Sequence, residues 1–316
     1  MCLTTHYISR NCGHHWLAIR YPCWPGNGFN YCGVFGDGCP ACATPGAYDH
    51  NLVRMVVNIR DHCRWGMGPS RDDPGYEYTS HVSYERVYEP AEDSFLFLDT
   101  LSSASETSFL QSRFPSTTAE QPLVVEIGPG SGVVIAFITA HAATLFGTRR
   151  VLTGAVDMNA HACAATAETV RRAISANPST AGMAFLGAVQ GDLAAPLRDR
   201  SVDVLVFNPP YVPTAELPSR RQGIDEEDSY LLALSYAGGR DGMETTNRLL
   251  ESLPRVLSDR GCAYVLLCAQ NKPEEVKERV RSLDGGGGGW KVETVGSSGK
   301  KAGWEKLQII RIWREL

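Results

Sequence analysis

From Val87 onward the chain alternates short apolar runs with segments of helical period, and this alternation limits its fold more than any other feature. "PLVVEI", "RRVLTGAVD", "MAFLGAVQGD", "VDVLVF" and "CAYVLLC" read as buried strands. Between them, "VVIAFITAHAATLF", "AHACAATAETVRRAISA" and "TNRLLESLPRVLSDRG" read as helices, the last expected to close at Gly261. "VYEPAEDSFLFLDTL" supplies a helix ahead of the first strand, with Pro90 suited to its first turn and Glu92 and Asp93 near its positive end. "PEEVKERVRSL" is a charged helix, and "GWEKLQIIRIW" closes the chain as a strand. Strands alternating with helices predict an α/β domain, a parallel sheet with helices on both faces. In such sheets ligands meet the carboxyl ends of the strands.

The residues at those ends carry the chemistry. "VVEIGPGSG" breaks an apolar run into Gly128, Gly130 and Gly132, which let a backbone approach a ligand closely. Val133 stands where the nicotinamide fingerprint needs a further glycine, and the loop alone is a weak signal. Glu126 precedes the glycines, Asp157 ends the next strand and Asp192 the third. Asp157 is placed for ribose hydroxyls and Asp192 for an adenine amino group. Three acids suit a cationic ligand such as S-adenosylmethionine, with its sulfonium and ammonium, and would repel the pyrophosphate of NAD. The fourth strand runs into "FNPPYVP". Pro209 and Pro210 lack the amide hydrogens of a central strand, so the strand stops and a stiff loop presents Asn208 and Tyr211. The Asn208 side-chain oxygen and the Pro209 carbonyl can accept hydrogen bonds from a planar NH2 group, and Tyr211 can lie against that group. This localises electron density on a poorly nucleophilic nitrogen and aims it at a methyl carbon, with positioning carrying most of the rate. No metal and no strong base are required. Asn208 as a mere turn cap is the competing reading.

Charge narrows the substrate. The net charge is -5, whereas proteins that grip nucleic-acid phosphates usually carry a basic surplus. No apolar run is long enough to span a membrane, and the first residues lack the core of a signal peptide, so cytoplasm or nucleus is expected. Residues 1–80 show no sustained period and are rich in Gly, Pro and Cys. They are expected to be an unstructured extension or, up to Met67, an artefact of the gene model, with the domain spanning 81–316. Seven of the ten cysteines lie before Arg64. Cys39 and Cys42 form one C-x-x-C pair, but Cys23 and Cys32 are too far apart for a matching one, so no metal site is expected. The acidic run Asp225–Asp228 reads as a solvated loop, a docking surface for a basic partner, or part of a lid over the substrate.

"VYEPAEDSFLFLDTL", "EIGPGSG", "DMN", "GDL", "FNPPYVP" and "AGGRDGMETTNRLL" together resemble the class I S-adenosylmethionine-dependent methyltransferases, a Rossmann-like family. Within them the chain is similar to the HemK-type protein-glutamine N5-methyltransferases, in the eukaryotic and archaeal branch that acts on release factor. "NPPY" is shared with adenine-N6 methyltransferases of DNA and RNA, whereas "YEPAEDS" with "AGGRDG" is much more specific to the branch. The resemblance implies a seven-stranded, mostly parallel sheet whose last strand is antiparallel. It implies cofactor contacts from Ser94, Glu126, Gly128, Asp157, Asp192, Leu193 and Asn208, with Gly130, Gly132 and Met158 in the same motifs. It implies catalysis by Asn208, Pro209, Pro210 and Tyr211 on the glutamine of the Gly-Gly-Gln loop of the eukaryotic class I release factor. It also implies a small zinc-binding activator subunit that covers an apolar face. Adenine-N6 methylation of nucleic acid is the alternative, and would want a basic recognition region. A catalytically silent module of the same fold is the third reading, against which the complete motif set speaks.

Overall fold

The computed structural model describes residues 3–8, 15–21, 76–116, 120–177, 183–215, 230–231, 233–283, 289–298 and 306–315. Two units divide the chain, Met1–Asp73 and Pro74–Leu316. In the first, β1 (Leu3–Ile8) pairs antiparallel with β2 (His15–Tyr21). This corrects the expectation of an extension without regular structure. "LTTHYI" and "HWLAIRY" are rich in the β-branched and aromatic residues that favour strands, a signal masked by the Gly, Pro and Cys around them. Cys23, Cys32, Cys39 and Cys42 lie outside the described residues, as does the acidic run Asp225–Asp228.

The second unit begins with α1 (Tyr76–Thr79), α2 (Glu92–Ser102) and α3 (Ala104–Arg113). Strands and helices then alternate: β3 (Leu123–Ile127), α4 (Val133–Ala140), α5 (Ala142–Phe146), β4 (Leu152–Asp157), α6 (Ala160–Ala176), β5 (Ala184–Gln190) and β6 (Val202–Phe207). After them come α7 (Glu244–Val256), β7 (Leu257–Cys268), α8 (Pro273–Arg281), β8 (Trp290–Ser297) and β9 (Leu307–Arg314). The seven strands order as β5-β4-β3-β6-β7-β9-β8. Pairing is parallel from β5 to β7, and β9 runs antiparallel to both β7 and β8. The last strand is thus the reversed one, as the resemblance implies.

Successive residues of each strand feed opposite cores. Val124, Val204, Val206, Tyr264 and Leu266 pack on the face covered by α2, α4 and α5. Val125, Ile127, Leu205, Phe207, Val265 and Leu267 pack on the face where α7 lays Leu249, Leu250, Leu253 and Val256 at helical spacing. The helix expected to close at Gly261 ends at Val256, and residues 257–261 already belong to β7. Leu257 pairs there with Val202, so sheet pairing overrides the helical pattern. Segment 81–88 is part of this unit. His81 Nε2 lies 3.1 Å from the Ala165 carbonyl, and Val87 packs on Ala162 and Ala165 of α6.

Candidate active site

The chain turns back at β3, whose neighbours are β4 on one side and β6 on the other. Register then fixes the site. Ile127 pairs with both Val156 and Phe207, so Gly128, Asp157 and Asn208 emerge at one level of the carboxyl edge. Asp157 pairs in turn with Gln190, and the Gly191 amide donates to the Asp157 carbonyl (2.9 Å), which brings Asp192 to the same rim. These residues open onto a cavity of about 540 Å³, within the range of small-ligand sites. Ser94, Glu126, Gly128, Gly130, Met158 and Leu193 line it, as do Pro209, Pro210 and Tyr211. Leu193 holds a φ of 49°, a region seldom entered by a residue with a Cβ.

Gly132 lies apart from the cavity wall. It caps α4 with φ 80°, and a Cβ there would stand 2.7 Å from the Thr166 Cα of α6. Its part in the glycine motif is close packing of two helices, which lets the loop keep its shape.

The three acids are not equivalent. Glu126 is 2% exposed, and its Oε2 accepts from the Ile135 amide in the first turn of α4 (2.8 Å). Burial pushes its carboxyl up to about 8, against that hydrogen bond and with help from nearby Asp157. Burial also raises Asp157, although its oxygens accept from the amides of Asn159 (2.8 Å) and Gly130 (3.2 Å). Asp192 is half-exposed and takes a hydrogen bond from Arg248 Nη2 (2.5 Å). The negative field of the free site is therefore weaker than three full charges, and a cationic ligand would draw the two buried acids toward ionisation.

Asn208 carries the most telling atom. Its Oδ1 is buried without a hydrogen-bond partner among the described residues, in the cavity wall. A buried amide oxygen left unpaired costs free energy unless a ligand completes it. Behind the loop, Gly238 and Gly242 admit no Cβ, because it would strike the carbonyls of Pro210 and Tyr211. This accounts for "AGGRDG": its glycines let that segment back directly onto Asn208–Tyr211.

Several lining residues were not read as part of the site in the sequence, and Asp93 was read only as an acid near a helix start. Asp93, 2% exposed, accepts from the Tyr88 hydroxyl (3.1 Å) and the Ser94 amide (2.6 Å) and hydroxyl (3.2 Å), so it orients Ser94. It sits within "YEPAEDS", where the signal was available. Arg248 meets Asp192 across 56 residues of chain, and no local pattern announces that pairing. Tyr230, Leu231 and Leu234 add an apolar side to the wall. The donor and acceptor set fits S-adenosylmethionine: carboxylates for hydroxyl, amino and ammonium groups, and backbone close to the wall at Gly128 and Gly130.

No protein-family model matches the chain. Curated relatives do. The methyltransferase HEMK2 of Mus musculus is 33% identical over 243 residues, 77% of this chain and 97% of that protein. The eRF1 methyltransferase catalytic subunit mtq2 of Schizosaccharomyces pombe is 31% identical over 234 residues, 73% of this chain and 90% of its own. The release factor glutamine methyltransferase of Moorella thermoacetica is 35% identical over 95 residues, 30% of this chain and 32% of its own.

Proposed function

The chain belongs to the HemK-type glutamine methyltransferase family, and from that premise we propose that it methylates the N5 nitrogen of the glutamine in the Gly-Gly-Gln loop of the eukaryotic class I release factor. S-adenosylmethionine is the methyl donor, and when bound it supplies a methyl carbon activated by a sulfonium. Ser94, Glu126, Gly128, Gly130, Asp157, Met158, Asp192 and Leu193 would hold it. The observation that carries the reading is the unpaired, buried Oδ1 of Asn208 in the wall of that same cavity.

Asn208 Oδ1 accepts one N–H of the substrate amide, and the Pro209 carbonyl accepts the other. The prolines fix both acceptors, so the amide plane is set before reaction. Tyr211 lies along that plane, and Tyr230, Leu231 and Leu234 keep water from it. Two acceptors on one NH2 discriminate against side chains without it, since their absence would leave both oxygens unpaired.

A small zinc-binding activator subunit completes the proposal. β5 is an edge strand of the sheet, and Leu186 and Val189 on it are 63% and 52% exposed. An open apolar edge invites a covering partner.

The test incubates the protein and its activator with labelled S-adenosylmethionine and release factor, in parallel with release factor whose loop glutamine is replaced by arginine. Label on the first alone is expected. Equal labelling of both rejects glutamine as the target, and preferential labelling of DNA or RNA favours adenine.

A further inference from the structure

We propose that Asn271, a residue outside every motif above, is the positioning residue that holds the Asn208–Tyr211 loop in its reactive shape; this rests on the methyl-transfer reading of that loop. Pro209 and Pro210 contribute no amide hydrogens, so the loop cannot be secured by a strand ladder on that side. A side chain takes over. Asn271 is 2% exposed, and its Nδ2 donates to the carbonyls of Tyr211 (3.0 Å) and Asp241 (2.9 Å) and lies 3.4 Å from that of Gly242.

The amide has one orientation that works. Oδ1 accepts from the Cys268 amide (2.8 Å), while carbonyl oxygens crowd the other side, so the nitrogen must face them. Asn271 thereby ties three pieces together: the end of β7, the loop that leaves β6, and the Arg240–Gly242 turn. Gly242 belongs to the same device. Its Cβ would lie 2.6 Å from Asn271 Nδ2 and would strike the Tyr211 carbonyl. Beyond Tyr211, the Val212 amide donates to the Tyr236 carbonyl (3.1 Å) and the Gly238 amide to the Val212 carbonyl (2.8 Å), continuing the clamp toward the cavity wall. None of these hydrogen bonds involves Gly128–Gly132, so their loss should displace Asn208 and Pro209 while sparing the cofactor residues at the ends of the other strands.

The experiment compares wild type with Asn271→Ala and the isosteric Asn271→Asp, which sets an oxygen against the carbonyls. Three quantities are read: kcat on release factor, affinity for S-adenosylhomocysteine by calorimetry, and amide hydrogen exchange. Both variants are expected to lose less than about tenfold in affinity for S-adenosylhomocysteine, to which Asn208 is one contact among several, while kcat falls on the order of 10²-fold, the scale of a displaced reactive group. Exchange should quicken at Val212 and Gly238, whose amides donate within the clamp, and stay unchanged from Gly128 to Gly132. An unchanged kcat overturns the proposal. So does a fall in kcat that merely tracks lost cofactor affinity and melting temperature, the signature of a general packing role. If Asn271→Ala fails to fold, Asn271→Asp carries the same readings. Should wild type leave release factor unlabelled, the glutamine reading fails on its own, and exchange at Val212 and Gly238 decides this one: unaltered protection in the variants rejects it.

Discussion

Asn208 and Glu126 make opposite demands on burial. Asn208 keeps an acceptor free inside the wall, and its replacement by alanine removes that acceptor without touching the acids. Asn208→Ala should lower kcat by about 10²- to 10³-fold, the usual cost of one preorganised hydrogen bond to the reacting group, with cofactor affinity reduced far less. Single-turnover rates beside calorimetry would check both halves. Glu126 titrates near 8 in the fold and near 4.5 in a free chain. Between those values the native state holds the extra proton, so stability is greatest below pH 4.5 as far as this group goes, and it declines as pH rises through 8. The slope approaches about 1.4 kcal/mol per pH unit in that window. Glu126→Gln keeps an acceptor for the Ile135 amide and should flatten the decline. Urea unfolding of the ligand-free protein at pH 6 and pH 8 tests this; equal slopes in wild type and variant would contradict it.

Elements answer to different forces at their two ends. Gly132 ends the glycine loop where α4 meets α6, and Gly187 sits on the open edge strand. Both have positive φ, at 80° and 114°, but only Gly132 has a neighbour that a Cβ would strike. Gly132→Ala should cost clearly more than the roughly 1 kcal/mol typical of alanine in such a conformation, and Gly187→Ala should stay near that figure. Denaturant midpoints compare them directly. On the same edge strand, Leu186→Lys should prevent co-purification with the proposed activator subunit while the melting temperature of the isolated chain holds. Retained co-purification would put the partner on another surface. Helix α7 illustrates the limit of local pattern. Its buried residues at helical spacing were readable, yet its end was set by Leu257 reaching Val202 in the neighbouring strand.

At the scale of the molecule, Pro74–Leu316 contains the seven-stranded sheet and every described residue that lines the cavity. A chain shortened to begin at Pro74 should unfold in one cooperative transition and retain its methylation rate; lost activity would assign the first unit a part in catalysis. The alternation of strands and helices, the glycine loop, the acids that follow and Asn-Pro-Pro-Tyr were all legible without coordinates, because each is local: a period, a turn, a proline that ends a strand. The hairpin at Leu3–Ile8 and His15–Tyr21 was hidden by the Gly, Pro and Cys around it. Asp192 meeting Arg248, the raised pKa of Glu126 and the grip of Asn271 on Tyr211 came only with the fold. The order of residues along the chain determined which groups reach the carboxyl edge. Register between β3, β4 and β6, and the burial it imposes, decided which of those groups face each other and in what charge state. Register and desolvation depend on neighbours distant in sequence, and no local pattern encodes them.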